Sequence, residues 1–136
     1  MELKRKNINR GYTQLRVWQN SISLFKLVYE LVKDLPYELS KIRSNLIDAA
    51  HSINRNISEG YCRRNIKEYL NFLNIALGST GELFSGMYGL KEIEKISEKD
   101  FEQFDELHYQ VENELTQLIK SLQRKLKTKD WETDFN

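Results

Sequence analysis

The chain has 136 residues, with 21 Lys or Arg against 20 Asp or Glu and 40% hydrophobic residues, enough for one compact domain and too little for two. A chain of this size buries about two-thirds of its unfolded surface and needs no metal or disulfide staple. No apolar run approaches the roughly 18 residues of a membrane span. The single cysteine, Cys62, has no second thiol for a disulfide, zinc or redox motif, and the basic stretch MELKRKNINRGY has no apolar core behind it of the kind a secretory signal carries. A cytoplasmic protein is expected.

Proline and glycine placement favours a few long helices over many strands, because the single proline is Pro36 and four of the six glycines fall between Gly78 and Gly89. The first predicted helix runs from about Gln14 to Leu35, capped by Thr13 and stopped by Pro36, with Leu15, Trp18, Ile22, Phe25, Tyr29 and Val32 on one face. The second, about Leu39 to Glu59, carries Ile42, Leu46, Ala50, Ile53 and Ile57 at the same spacing, with Gly60 placed for a left-handed C-cap. A third, about Asn65 to Ile93, is apolar over an arc wide enough to suggest contact on more than one side. In the fourth, Ser97 and Asp100 read as a capping box, followed by Phe101, Phe104, His108, Val111, Leu115, Leu118 and Leu122 in steps of three and four. These elements predict an all-α fold, an antiparallel up-down four-helix bundle over residues 13–126, with a basic N-terminal arm at 1–12 and a flexible C-terminal tail at 127–136.

Gly81, Ser85 and Gly89, with Gly78 nearby, make a strip without bulky side chains along the third helix. Since each helical glycine costs about 1 kcal/mol relative to alanine, the strip is expected to serve close packing within the bundle or an interface between subunits. A phosphate loop would need these glycines ahead of a helix with a P-loop lysine, and they do not stand there.

Two acid–histidine pairs at i and i+3, Asp48 with His51 and Asp105 with His108, match the spacing of di-metal carboxylate bundles, with Glu30 and Glu82 available from the other helices. Phase argues against such a centre, because Asp48 lies about 200° around its helix from Leu46 and faces solvent. His108 reads as a seam histidine with a hydrogen-bond partner, and no metal or cofactor is expected. Cys62 stands beside Arg63 and Arg64, which could lower a thiol pKa, yet no acid–base partner can be named. No catalytic residue is assigned.

Charge is balanced in total and uneven in place. Residues 1–16 hold five basic and one acidic side chain, residues 55–67 four and one, and residues 120–129 five and none, whereas residues 82–114 hold ten acids and three lysines. Such asymmetry can make a polyanion-binding face, and it can equally reflect solvated helix ends or charges that pair between subunits.

The opening Leu15, Val17, Trp18 and Gln19, then Asn56, Glu59, Gly60, Arg63, Glu68, Phe72, the run Ala76 to Ser79, and Glu82, resemble the 23S rRNA intervening-sequence protein family over about residues 13–125. Here Asn54 stands where the family commonly has proline, and Cys62 where it often has glycine. The resemblance implies a bacterial, non-enzymatic four-helix bundle. Related accessory proteins of diversity-generating retroelements form five-fold rings and bind nucleic acid and a reverse transcriptase. By that likeness this chain is expected to form a homo-oligomer, a pentamer, with RNA or DNA and a protein such as a reverse transcriptase as partners. Arg55, Arg63, Arg64 and Lys67 are the expected nucleic-acid contacts, and Gly78, Gly81, Ser85 and Gly89 the close-packing or interface residues. A structural or interaction module that binds no nucleic acid is the alternative.

Overall fold

The computed structural model describes residues 3–128, and among them there are helices and no strand. A 3-10 turn at Ile8–Gln14 leads into α1 (Arg16–Val32), and a second at Tyr37–Leu39 leads into α2 (Ser40–Cys62), followed by α3 (Ile66–Glu92) and α4 (Glu98–Thr128). None of these helices is long and apolar enough to cross a membrane.

Each helix packs on the next, and α1 also packs on α4. Paired residues fix the directions. Gly60 lies against Tyr69, Ser52 Oγ is 2.9 Å from Ser79 Oγ, and Gly86 lies against Leu46, so numbers fall along α2 as they rise along α3. His108 meets Thr80 and Phe101 meets Tyr88 between α3 and α4, while Asn20 donates to Glu114 between α1 and α4. The core between them is almost wholly aliphatic and aromatic, with Leu24, Val28, Ile53, Ile57, Leu73, Leu83, Met87, Phe104 and Leu115 fully buried. Each such side chain contributes about 1.5–3 kcal/mol relative to exposure.

The face of α1 differs from the expected one. Val17, Ser21, Leu24, Val28 and Val32 point into the core, and Tyr29 is 46% exposed. The segment carries two neighbouring apolar stripes, and the smaller side chains take the centre while Trp18 and Phe25 lie on the flank, against Tyr12 and His51. Ser21 is tolerated inside because its hydroxyl donates to the Trp18 carbonyl at 2.6 Å. Thr13 does not cap α1. Its hydroxyl donates to Arg10 O within the 3-10 turn, and Leu15 is the N-cap without a side-chain bond.

Gly60 is not a C-cap either. It is buried inside α2, where an added Cβ would stand 2.9 Å from Phe72 Cβ and 3.2 Å from the Tyr69 carbonyl oxygen, so its role is close approach of α2 and α3. The left-handed residue of that connection is Arg64, with φ 58°. In α4 the capping bond is present, Asp100 N donating to Ser97 Oγ at 3.0 Å, but the seam passes through buried Ile119, with Leu118 only half-buried. The basic N-terminal arm is folded from Ile8 onward, with Asn7 capping the 3-10 turn and Gly11 against Tyr61. Of the expected tail, Lys127 and Thr128 belong to α4, and residues 129–136 lie outside the described residues.

Candidate nucleic-acid interface

The connection between α2 and α3 is three residues long, Arg63 to Asn65, and it sets the positions of the candidate arginines. Asn65 caps α3 by accepting from Glu68 N at 3.1 Å. Arg64 absorbs the reversal in the left-handed region, which costs a non-glycine residue about 1–2 kcal/mol. Its guanidinium stacks over Tyr61 at 5.6 Å, in a cluster where Tyr61 meets Tyr12 and Tyr69 edge-on, each at 6.0 Å. Arg63 sits over Phe72 at 5.1 Å, with Nη2 3.1 Å from Glu59 and Nη1 3.6 Å from Glu68. Lys67 is exposed in the first turn of α3.

Arg63, Arg64 and Lys67 therefore share one end of the molecule. Arg55 stands apart, eight residues or about 12 Å back along α2, bridged to Asp48 at 3.3 Å.

Helix register adds groups that local spacing does not reveal. His108 is level with Thr80, and counting fourteen residues in opposite directions from that pair places Ile66 level with Leu122. Arg124 and Lys127 thus lie at the same end as Lys67. Cys62 Sγ donates to Asn9 O at 3.3 Å, tying the N-terminal segment, with Arg10, to this end as well. Across residues 3–16, 59–68 and 120–128 there are twelve basic side chains and two acids, Glu59 and Glu68. Across residues 30–48 and 82–106, toward the other end, there are twelve acids and six basic side chains. The charge runs were visible in the chain. Their convergence depends on the opposed directions of the helices.

Burial pushes the Cys62 thiol above its ordinary value, opposed only in part by Arg64, so the neighbouring arginines do not make it a thiolate nucleophile. The two histidines have separate surroundings. His51 stacks on Phe25 at 4.5 Å, while the acid three residues before it, Asp48, is 80% exposed and bound to Arg55. His108 is buried against Phe84 and Phe104. Its Nε2 carries the hydrogen, because it lies 2.7 Å from the Thr80 carbonyl, which can only accept. Its Nδ1 faces the Glu112 carboxylate at 3.3 Å. Among the described residues no three His, Cys, Asp or Glu side chains converge as a metal site requires.

The glycine strip faces outward. Gly78, Gly81, Ser85 and Gly89 are exposed, and a Cβ added to any of the three glycines would meet nothing within 4 Å, so the strip makes no close packing within this chain. Between Glu68 and Lys91 the only charged residue of α3 is Glu82, although Ile75 and Tyr88 are almost half exposed.

No match is found among curated proteins. Residues 13–123 match the family model described as 23S rRNA-intervening sequence protein, which covers the four helices nearly end to end. With its all-helical fold and most of its length matched, the chain belongs to the 23S rRNA-intervening sequence protein family.

Proposed function

We propose that this chain is an antiparallel, up-down four-helix bundle that assembles as a homo-oligomeric ring of five copies and holds the backbone of RNA or DNA at its basic end, with no enzymatic activity. The observation that carries this reading is the gathering of three separate basic stretches at one end. A ring repeats that surface in every copy and turns a modest patch into a continuous polyanion track. The outer face of α3, where Glu82 is the one charged residue between Glu68 and Lys91, supports the assembly, because exposed glycines beside half-exposed Ile75 and Tyr88 permit close approach of a neighbour. The five-fold number rests on the likeness to the retroelement accessory proteins.

Phosphate contacts of this kind position a backbone and read little sequence. Binding to RNA and to DNA should therefore be comparable and fall steeply with salt, with a log–log slope of about −0.9 per neutralised phosphate on duplex DNA. Fluorescence anisotropy with labelled oligonucleotides across a salt series, beside light scattering for the mass, tests both halves. Replacing Lys67, Arg124 and Lys127 by glutamate should abolish binding while the mass stays unchanged. The same α3 face also suits a structural module that docks only protein, and that reading prevails if no oligonucleotide binds at low salt.

A further inference from the structure

The outward face of α4 changes character along its length. Lys127, Arg124, Lys120, Gln117, Asn113 and Tyr109 recur in steps of three and four, so they fall within an arc of about 80°. The buried residues of α4, among them His108, Val111, Leu115 and Ile119, lie on the opposite side. All six residues of the arc are exposed, Tyr109 by 64%. The stripe therefore begins with three cations at the basic end, passes two amides and reaches an aromatic ring. No acid enters the arc between Lys127 and Glu106. From Lys127 to Tyr109 the stripe is about 27 Å long.

A groove adjoins the uncharged part of the stripe. It lies between the start of α1 and the middle of α4, holds about 500 Å³, and shares Asn113 and Gln117 with the stripe. Leu15 and Leu118 give it apolar walls, and Arg16 lines it from the α1 side. The carboxylate at its edge, Glu114, already accepts from Asn20 Nδ2 at 2.8 Å. This volume is within the roughly 300–1,000 Å³ of small-ligand sites, and apolar walls edged by amides and a guanidinium suit a planar ring that hydrogen-bonds at its rim.

A duplex offers such a surface little beyond its phosphates, because its bases are stacked and paired. A single strand offers phosphates and bases together, and it is held where cations follow the backbone and aromatic or apolar side chains receive the bases. The order of groups on α4, charge first and then amides and a ring beside a groove, matches both demands. We infer that the basic end takes single-stranded RNA or DNA, laid along the outward face of α4 with its phosphates on Lys127, Arg124 and Lys120, one base in the α1–α4 groove and another stacked on Tyr109. The inference rests on the polyanion binding proposed above and adds the form of nucleic acid and the residues that hold its bases.

Fluorescence anisotropy on the full chain tests it with three labelled probes: an unstructured single strand of about twelve nucleotides, in DNA and in RNA form, the same length of abasic strand, and the corresponding duplex. The single strand in either form should bind about tenfold or more tightly than the abasic strand or the duplex. Tyr109→Ala, and separately Asn113→Ala with Gln117→Ala, should each weaken the intact strand severalfold and leave the abasic strand and the duplex unaffected. The salt slope should not change in either variant, because no charge is removed. Light scattering and circular dichroism should show the parent mass and helix content, since these side chains are exposed. Equal affinity for all probes, or tighter binding of the duplex, overturns the base contacts and leaves the polyanion binding standing. A single-strand preference that neither variant reduces places the bases elsewhere and overturns the site. A loss of oligomer mass in Tyr109→Ala overturns it too, because that face is then an interface between copies. Absence of binding by every probe at low salt overturns the polyanion binding and this inference with it.

Discussion

The two ends of this molecule are built from the same four helices and yet have opposite chemistry. At one end the N-terminal segment, the α2–α3 connection and the last turns of α4 bring together twelve basic side chains and two acids; toward the other there are twelve acids and six basic residues. Part of this is local. Glu98 and Asp100 begin α4, and Lys125 and Lys127 end it, each in favourable alignment with the helix dipole. The dipole accounts for charges in the first and last turns only, and the excess at the basic end extends over three segments. Aromatic residues hold both ends, but to different effect. Tyr12, Trp18, Tyr61 and Tyr69 bind an irregular N-terminal segment to the helices, whereas Phe84, Phe101, Phe104 and His108 fill the core between α3 and α4. The basic end is therefore a surface assembled from connections, whereas the aromatic cluster of the acidic half lies between two helices.

The largest effect should come from breaking the packing of the acidic half. Phe104 is completely buried, and Phe104→Ala should cost about 3–5 kcal/mol in urea unfolding, with loss of the cooperative transition if the protein starts near the lower limit of stability.

Glycine substitutions distinguish the inward and outward sides of the helices. Gly60→Ala forces a Cβ against Phe72 and the Tyr69 carbonyl, and should destabilise by about 1–3 kcal/mol. Gly81→Ala meets open space and should stabilise the helix by up to about 1 kcal/mol. In dilute, dissociated protein thermal unfolding of the two variants should move in opposite directions, whereas in the assembled protein Gly81→Ala should also lose stability because a neighbour packs on the strip; a gain in both states overturns the α3 interface.

Charge removal sharpens the description of the basic end. Lys67→Ala should flatten the salt slope of oligonucleotide binding by nearly one unit per copy engaged. Arg63→Ala should change it less, because the Arg63 guanidinium is already shared between Glu59, Glu68 and the Phe72 ring. A larger effect from Arg63 than from Lys67 in anisotropy titrations would show that those ion pairs open on binding.

The smallest effect is the thiol. Burial raises the Cys62 pKa in the folded chain, so the folded state keeps its proton at a pH where the unfolded chain has lost it. The unfolded state then binds fewer protons, and stability falls as pH rises through and above the ordinary thiol range. Comparing urea midpoints at neutral and alkaline pH, a slightly steeper alkaline loss is expected in the parent chain than in Cys62→Ala.

Which stretches would be helical was legible in the chain, since apolar spacing, the Ser97 cap and the Asn65 start depend on neighbours three or four residues away. The inward face of α1 was less so. Two stripes of similar hydrophobicity run side by side there, and periodicity ranks the bulky set of Trp18 and Phe25 first, whereas the space at the centre admits Val17, Ser21, Leu24 and Val28. Gly60 shows the same limit. A glycine near a helix end fits a C-cap by local rules, and only the approach of Tyr69 and Phe72 from α3 reveals why no side chain fits.

The candidate site divides in the same way. Sequence by itself determined the all-helical class, the family and the existence of three basic runs, because composition and short-range spacing encode them. Tertiary structure alone decided that the runs converge at one end, that Arg55 is held apart by Asp48, and that the glycine strip faces solvent rather than the core. The physical reason is that these properties depend on the direction and register of helices packed across the core, where residues far apart in the chain are brought to one height by contacts such as that of His108 with Thr80.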